Sequence, residues 1–378
     1  MNRRAVLRRA GTAGGLALAG CLEGLGFEEE SAWRDPPLVS DRPDAVYVPA
    51  STETMGTYGR AVGEEYAVSL SYTVPHRFWT VAGRETSRVT VGTDDTIHLM
   101  CTVWAPGTDH VLPVEVGGDL RRDGESVRSF SPWPMLSQRM GFHYGDNVAL
   151  PEEGAYTLEL SVGPTTARPV GEFEGRFERQ ETFELGFEYE RSQIHEVEFE
   201  EVPEDRRGER GALELMDHSG MDGEGRNGDH DGENGSHAAS DGGTSDDPGH
   251  PPTSRGVPIG ELPGTVLGSA RTGDAELSVV ETDPVYDAES YLAVFARTPH
   301  NDVVLPFMSL SARIGGEEAA LTETLAPELG PHHGVETDAL EAGTEITVAV
   351  EAIPQVARHD GYETAFFEFE DVTVTVGE

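Results

Sequence analysis

The chain contains no lysine. Its 27 cationic side chains are all arginine, they face 69 aspartates and glutamates, and the formal net charge at pH 7 is −42. Such a surface repels nucleic acid and anionic membranes, which argues against a DNA- or RNA-binding role. It suits a protein kept soluble in molar salt, where screening acts within about 3 Å and like charges repel cheaply. The expectation is an extreme halophile of the archaeal kind. Cysteine is almost missing as well, with only Cys21 and Cys101, so no thiolate-rich zinc or iron–sulfur site can be built. Also missing are a convincing amphipathic helix, a Gly-x-Ser-x-Gly elbow, a phosphate loop, a dinucleotide fingerprint and a His-Glu-x-x-His pair. The expectation is therefore a protein that is not an enzyme. A wholly disordered acidic chain is excluded by 37% hydrophobic residues and by clear strand patterns outside the middle of the sequence.

Residues 1–21 read as targeting. Asn2-Arg3-Arg4-Ala5-Val6-Leu7-Arg8 is similar to a twin-arginine export signal, and Ala10 to Ala19 is apolar. Leu18-Ala19-Gly20-Cys21 is a lipobox, which makes Cys21 the lipidated N-terminus of a lipoprotein held at the extracytoplasmic face of the cell membrane. The alternative is an uncleaved anchor helix, but the apolar run is short for a bilayer span of about 20 residues. Cleavage before Cys21 leaves Cys101 unable to form a disulfide with any later cysteine.

The remainder divides by composition. Residues 22–45 are Glu-, Ser- and Pro-rich and read as a tether. Over 46–200, short alternating segments stand between Gly/Pro/Asp turns: Tyr66 to Val74, Ser87 to Val91, Thr96 to Trp104, Val111 to Val116, Tyr156 to Val162 and Phe183 to Tyr189. This spacing predicts an all-β, antiparallel β-sandwich. Residues 203–256 turn to Gly, Asp, Glu, Ser and His and read as a disordered linker. Residues 257–378 return to strand patterns and form the second β-domain.

Soft-metal chemistry gathers near the middle of the first domain. Met135, Met140 and His143 fall within nine residues, and imidazole with thioether favours copper, whereas all-oxygen sites favour Mg or Ca. On the strand Thr96 to Trp104, His98 and Met100 share the face opposite Ile97, Leu99, Cys101 and Val103, as further ligands or as an ordinary half-buried face. In the linker, Met216-Asp217-His218-Ser219-Gly220-Met221 is similar to the Met/His repeats of exported copper-handling proteins. Met216, His218 and Met221 stand there as candidate ligands, or as parts of a solvating acidic spacer.

Met135 followed by Gly-Phe-His-Tyr-Gly-Asp-Asn (141–147) and by Gly154-Ala155-Tyr156 resembles the signature of the periplasmic iron-transport-associated copper/iron-binding proteins. Val46-Tyr47-Val48-Pro49 with Met55-Gly56 is similar to that family's N-terminal region, and His76 resembles its first His ligand. The resemblance spans roughly residues 46–189 and implies an immunoglobulin-like sandwich with a copper or iron ion held by His76, Met135 and His143, and with Met140 as a substitute ligand. The chain departs from the pattern at Phe142, where the family has Pro, in a longer gap from Met135 to His143, and in having no first-domain counterpart of the last His ligand.

The second domain reads as a repeat of the first. Gly330-Pro331-His332-His333-Gly334 answers Gly141-Phe142-His143-Tyr144-Gly145, and Tyr291 to Ala296 answers Ile97 to Trp104. A second set is thus expected at His332, with His333 and His359, the last standing where the first copy lacks its final His. Two readings stand: each domain holds its own incomplete site, or one copy binds and the other is structural. By resemblance, the protein is expected to support iron or copper uptake or delivery, with a membrane iron permease as partner and a homodimer as an open possibility. The competing reading is a non-catalytic surface interaction or spacer module without a metal role.

Overall fold

The computed structural model describes residues 36–216, 251–283 and 290–377. The first half carries β1 (Ser51–Glu53), β2 (Gly56–Val62), β3 (Ala67–Thr73), β4 (Phe78–Ala82), β5 (Glu85–Val89), β6 (Ile97–Trp104) and β7 (Val114–Arg122). It continues with β8 (Glu125–Phe130), β9 (Trp133–Ser137), β10 (Gly141–Val148), β11 (Gly154–Thr165), β12 (Arg168–Pro169), β13 (Glu181–Tyr189) and β14 (Phe199–Glu201). The second half carries β15 (Thr265–Thr272), β16 (Ala275–Thr282), β17 (Ser290–Arg297), β18 (Ser309–Ile314) and β19 (Glu317–Ala326). It ends with β20 (Gly330–Thr337), β21 (Glu345–Ala352), β22 (Ala357–Arg358) and β23 (Val372–Thr375). The α-helix Arg191–His195 is a single short turn, and no helix among the described residues is long and apolar enough to cross a membrane.

The fold is all-β and its long strand pairs are antiparallel. In the first half an eight-stranded sheet, β2-β3-β6-β10-β9-β22-β4-β5, faces a four-stranded one, β13-β11-β7-β8. The strand β13 shows why: Phe183, Leu185, Phe187 and Tyr189 are buried while the alternate residues Glu184 and Glu188 are exposed, the period-2 pattern of a sheet with one face on a core. The second half repeats the order as β15-β16-β17-β20-β19, continuing through β18 and β21 to β23, which comes back into contact with β15.

The central strand β6 differs from β13 in being buried throughout. Ile97, Leu99, Cys101 and Val103 face the main core, so His98, Met100 and Thr102 are buried against something else. What covers them follows from chain reach. From β3 to β4 the sheet order makes five strand steps, which in a flat sheet would separate them by about 24 Å. Only residues 74–77 join Thr73 to Phe78, and five Cα steps span at most about 17 Å. The sheet must therefore curl, and its concave face closes over His98.

The two halves interleave rather than hang from a tether. The strand β22 of the second half inserts into the first sheet, parallel to β9 and antiparallel to β4, while β12 of the first half pairs with β19 of the second. One apolar core runs through both, and Phe142 makes an edge-on ring contact with Phe307 across the junction. The described flanks of the linker are also fastened. The Gly208 N–H donates to the Val48 carbonyl at 2.8 Å and the Phe142 N–H to Ser254 Oγ at 2.7 Å. Backbone bonds of this kind need no apolar side chains, so hydropathy does not register them.

Candidate metal centre

Four imidazoles meet on the concave face of the first sheet. His76 lies on the short bridge between β3 and β4, His98 on β6, His143 on β10, and His359 directly after β22. One ring nitrogen of each of His76, His98 and His359 lies within 4.8 Å of the others. His143 stands beside them, its ring centroid 5.4 Å from that of His359. His359 is carried there by β22: Ala357 is in register with Met135, and the His359 N–H donates to the Leu136 carbonyl at 3.1 Å. The neighbours of two of these histidines clamp them together, since the Arg77 guanidinium makes a two-pronged ion pair with Asp360.

Hydrogen bonding sets the proton on each ring. Asn147 donates from Nδ2 to the His76 carbonyl at 2.8 Å, which turns its Oδ1 to the His98 Nδ1 at 2.8 Å and to the His76 N–H at 3.3 Å. An amide oxygen only accepts, so His98 carries its hydrogen on Nδ1 and leaves Nε2 as a bare lone pair. The same logic applies where His143 Nδ1 meets the Gly141 carbonyl at 3.1 Å and His76 Nδ1 meets the Val74 carbonyl at 3.0 Å. His76 Nε2 then accepts from His359 Nδ1 at 3.1 Å, which leaves His359 Nε2 bare as well. The Nε2 atoms of His98, His143 and His359 are all buried without a hydrogen-bond partner. Each buried, unsatisfied acceptor costs about 1–3 kcal/mol. Protonating the rings is no remedy: burial pushes His98 and His359 well below the ordinary imidazole value, with neighbouring imidazoles adding to the effect, and burial takes His143 down to about 4.

A cluster of neutral acceptors with no donor fits a cation. Met135 adds a thioether: a Cβ placed on Gly145 of β10 would lie 2.7 Å from His98 Nε2 and 3.2 Å from Met135 Sδ, so glycine keeps open the space both atoms border. Nitrogens held about 2.0–2.1 Å from one ion are at most about 4.2 Å apart, so small ring rotations would bring the cluster onto a metal. The residues that would hold it are His76, His98 and His359, with His143 and Met135 alongside; imidazole and thioether together suit copper, and imidazole suits iron as well.

The second copy places the corresponding residues differently. His332 answers His143, Gly334 answers Gly145, and Tyr291, by its register opposite Glu336 as His98 is opposite Asn147, takes the place of His98. The Tyr291 hydroxyl lies 3.1 Å from His332 Nε2 and 3.4 Å from Thr324 Oγ1, which occupies the position of Met135. His332 Nδ1 meets the Gly330 carbonyl at 2.9 Å, and His333 Nε2 meets the Met308 carbonyl at 3.2 Å. Protein hydrogen bonds thus fill the place that the first copy leaves to bare nitrogens. His359 does not join His332 and His333; it completes the first copy. Met140 lies near the centre in a cluster with Met55, Met100 and Met216, whereas Cys21, His218 and Met221 lie outside the described residues. The sequence signal for His98 is its spacing of two residues from Met100 on one face of the strand Thr96 to Trp104.

A family model described as a domain of unknown function, DUF7350, matches residues 260–375, less than half of the chain. No curated protein matches. Among solved structures, FetP of uropathogenic Escherichia coli strain F11, expressed in the periplasm, is 18% identical with a TM-score of 0.29, over 36% of this chain and 96% of that one. A copper-bound variant of the same FetP is 17% identical with a TM-score of 0.30, over 36% of this chain and 93% of that one. At such identity and overlap, function does not follow from either neighbour.

Proposed function

We propose that this protein binds a copper or iron ion outside the cell membrane, to which Cys21 anchors it, and holds that ion for uptake or delivery, without catalysing a reaction. The observation that carries the reading is the convergence of imidazole nitrogens, three of them buried without a partner, in one place, whereas the other buried histidines among the described residues, His332 and His333, are hydrogen-bonded. Burial keeps His98, His143 and His359 neutral at pH 7, so a metal competes with no proton on those three rings. The resemblance of Met135 and the 141–147 segment of β10 to iron-transport-associated proteins supports copper or iron as the cargo and a membrane permease as its recipient. Lipid anchoring and export rest on the N-terminal motif, and the acidic surface supports a high-salt setting.

The test is metal analysis by mass spectrometry of the chain from Leu22 onward, purified at high salt, beside a His98→Ala/His359→Ala variant and a version lacking 217–250. Near-stoichiometric copper or iron in the wild type and in the deletion, lost in the double variant, is the expected result. Equal metal in the double variant sinks the reading and leaves the surface spacer standing. Because copper outcompetes iron at almost any such site, the metal acquired in cells supplied with both identifies the cargo better than affinity in a tube.

A further inference from the structure

Four methionines, Met55, Met100, Met140 and Met216, form a buried hydrophobic cluster with no other apolar residue in it. They come from four separate places: the approach to β2, the middle of β6, the turn between β9 and β10, and the end of the stretch that follows β14. Methionine is a common filler of irregular cores, but packing alone does not account for its distribution here. Of the eight methionines in the chain, Met1 and Met221 lie outside the described residues, four make this cluster, Met135 borders the histidines, and Met308 alone joins the main apolar core. That core is built mainly from Val, Leu, Ala, Phe and Tyr.

The cluster opens onto the histidines. A partly open cleft of about 90 Å³ is walled by all four methionines together with His76 and His359. Met100 follows His98 by two residues on the same face of β6, which sets them about 7 Å apart along the strand. Glu53 stands at the cleft with Oε1 3.4 Å from His76 Nδ1, adding negative charge where a cation would arrive. The segments that bring two of the sulfurs are fastened: the Met140 N–H donates to Ser137 Oγ at 3.0 Å and the Met216 N–H to the Arg139 carbonyl at 2.8 Å.

We infer that Met55, Met100, Met140 and Met216 form a second, thioether-only site for a soft monovalent cation, cuprous copper in the cell, on the path into the histidine centre. Neutral sulfur donors favour such an ion over Fe(II), Mg or Ca, which prefer nitrogen and oxygen. Thioethers do not titrate, so this site works across a range of pH where imidazoles lose their lone pairs. An ion released from it has only the length of two strand residues to travel to His98. The inference goes beyond the proposed function, because the sulfur site binds whether or not the histidines do.

The probe is silver(I), a redox-inert stand-in for cuprous copper, added to the metal-free chain from Leu22 onward carrying ¹³C-methyl methionine. Expected on the first equivalent is a shift of the methyl signals of the four clustered residues, retained in a His98→Ala variant. A Met55→Leu/Met140→Leu/Met216→Leu variant, close to volume-conserving and checked for an unchanged melting curve, is expected to bind silver at least tenfold more weakly. Shifts confined to Met135 or Met221, no shift at all, or undiminished binding by the triple variant overturns the inference. Loss of copper or iron in His98→Ala alongside persistent methyl shifts shows that the two sites stand or fall separately.

Discussion

Gly145 offers a direct way to close the histidine centre without removing a ligand. It lies in β10 opposite Met100, and its backbone is not among those with positive φ, so alanine fits the strand there and should lower unfolded-chain entropy by about 0.4–1 kcal/mol in favour of folding. The added Cβ, however, would stand 2.7 Å from His98 Nε2, where ordinary contact begins near 3.4 Å. The ring must withdraw by roughly 0.7 Å, whereas metal–ligand distances tolerate only about ±0.2 Å. The same Cβ presses on Met135 Sδ at 3.2 Å. Gly145→Ala is therefore expected to weaken copper binding by at least the about 10- to 100-fold that mispositioned ligands bring, with the metal-free protein melting near the wild type. Competition against a chromophoric chelator measures the affinity, and thermal scans with and without metal measure the stabilisation. If Gly145→Ala binds copper as tightly as the wild type, the lone pairs of His98 and Met135 do not border the metal, and the geometry has been misread.

Asn147→Leu removes the amide that holds the proton on His98 Nδ1 and ties down the His76 backbone; about a 10- to 100-fold loss of metal affinity is expected, and an unchanged chelator competition would refute that positioning role. In the second half, burial lowers His332 from 6.5 to about 4, so between those values the unfolded chain holds a proton on this ring that the folded chain lacks. The sign follows: stability falls as pH drops through that window, by about 3 kcal/mol in full, and this ring adds no dependence above it. His332→Gln is expected to flatten the pH dependence of urea unfolding there while leaving metal content unaltered; an unchanged slope, or lost metal, contradicts the hydrogen-bonded role assigned to His332.

What could be read from the residues alone was local. Alternation along Thr96 to Trp104 located β6 and the face carrying His98 and Met100, because side-chain direction in a strand has a period of two, but the burial of that second face follows only from the curl of the sheet. The run from Met135 to His143 showed two thioethers and an imidazole because they are close in sequence, and the Gly330 to Gly334 motif pointed to a repeat. The motif did not show that Tyr291 and Thr324 occupy the places of His98 and Met135, which depends on strand register.

Tertiary structure decided which side chains meet. His76 and His359 lie 283 residues apart and touch at 3.1 Å, because a four-residue bridge forces the first sheet to curl and because β22 threads into it. A two-residue strand has no periodicity to detect, and its place depends on backbone hydrogen bonds to β9 and β4 that any sequence could make. The amino-acid order determined the strands, the repeat and the kinds of side chain available to the centre, since each is written in neighbouring residues. The closure of the first centre by a histidine from the second half came only from non-local pairing, where the deciding interactions belong to the backbone.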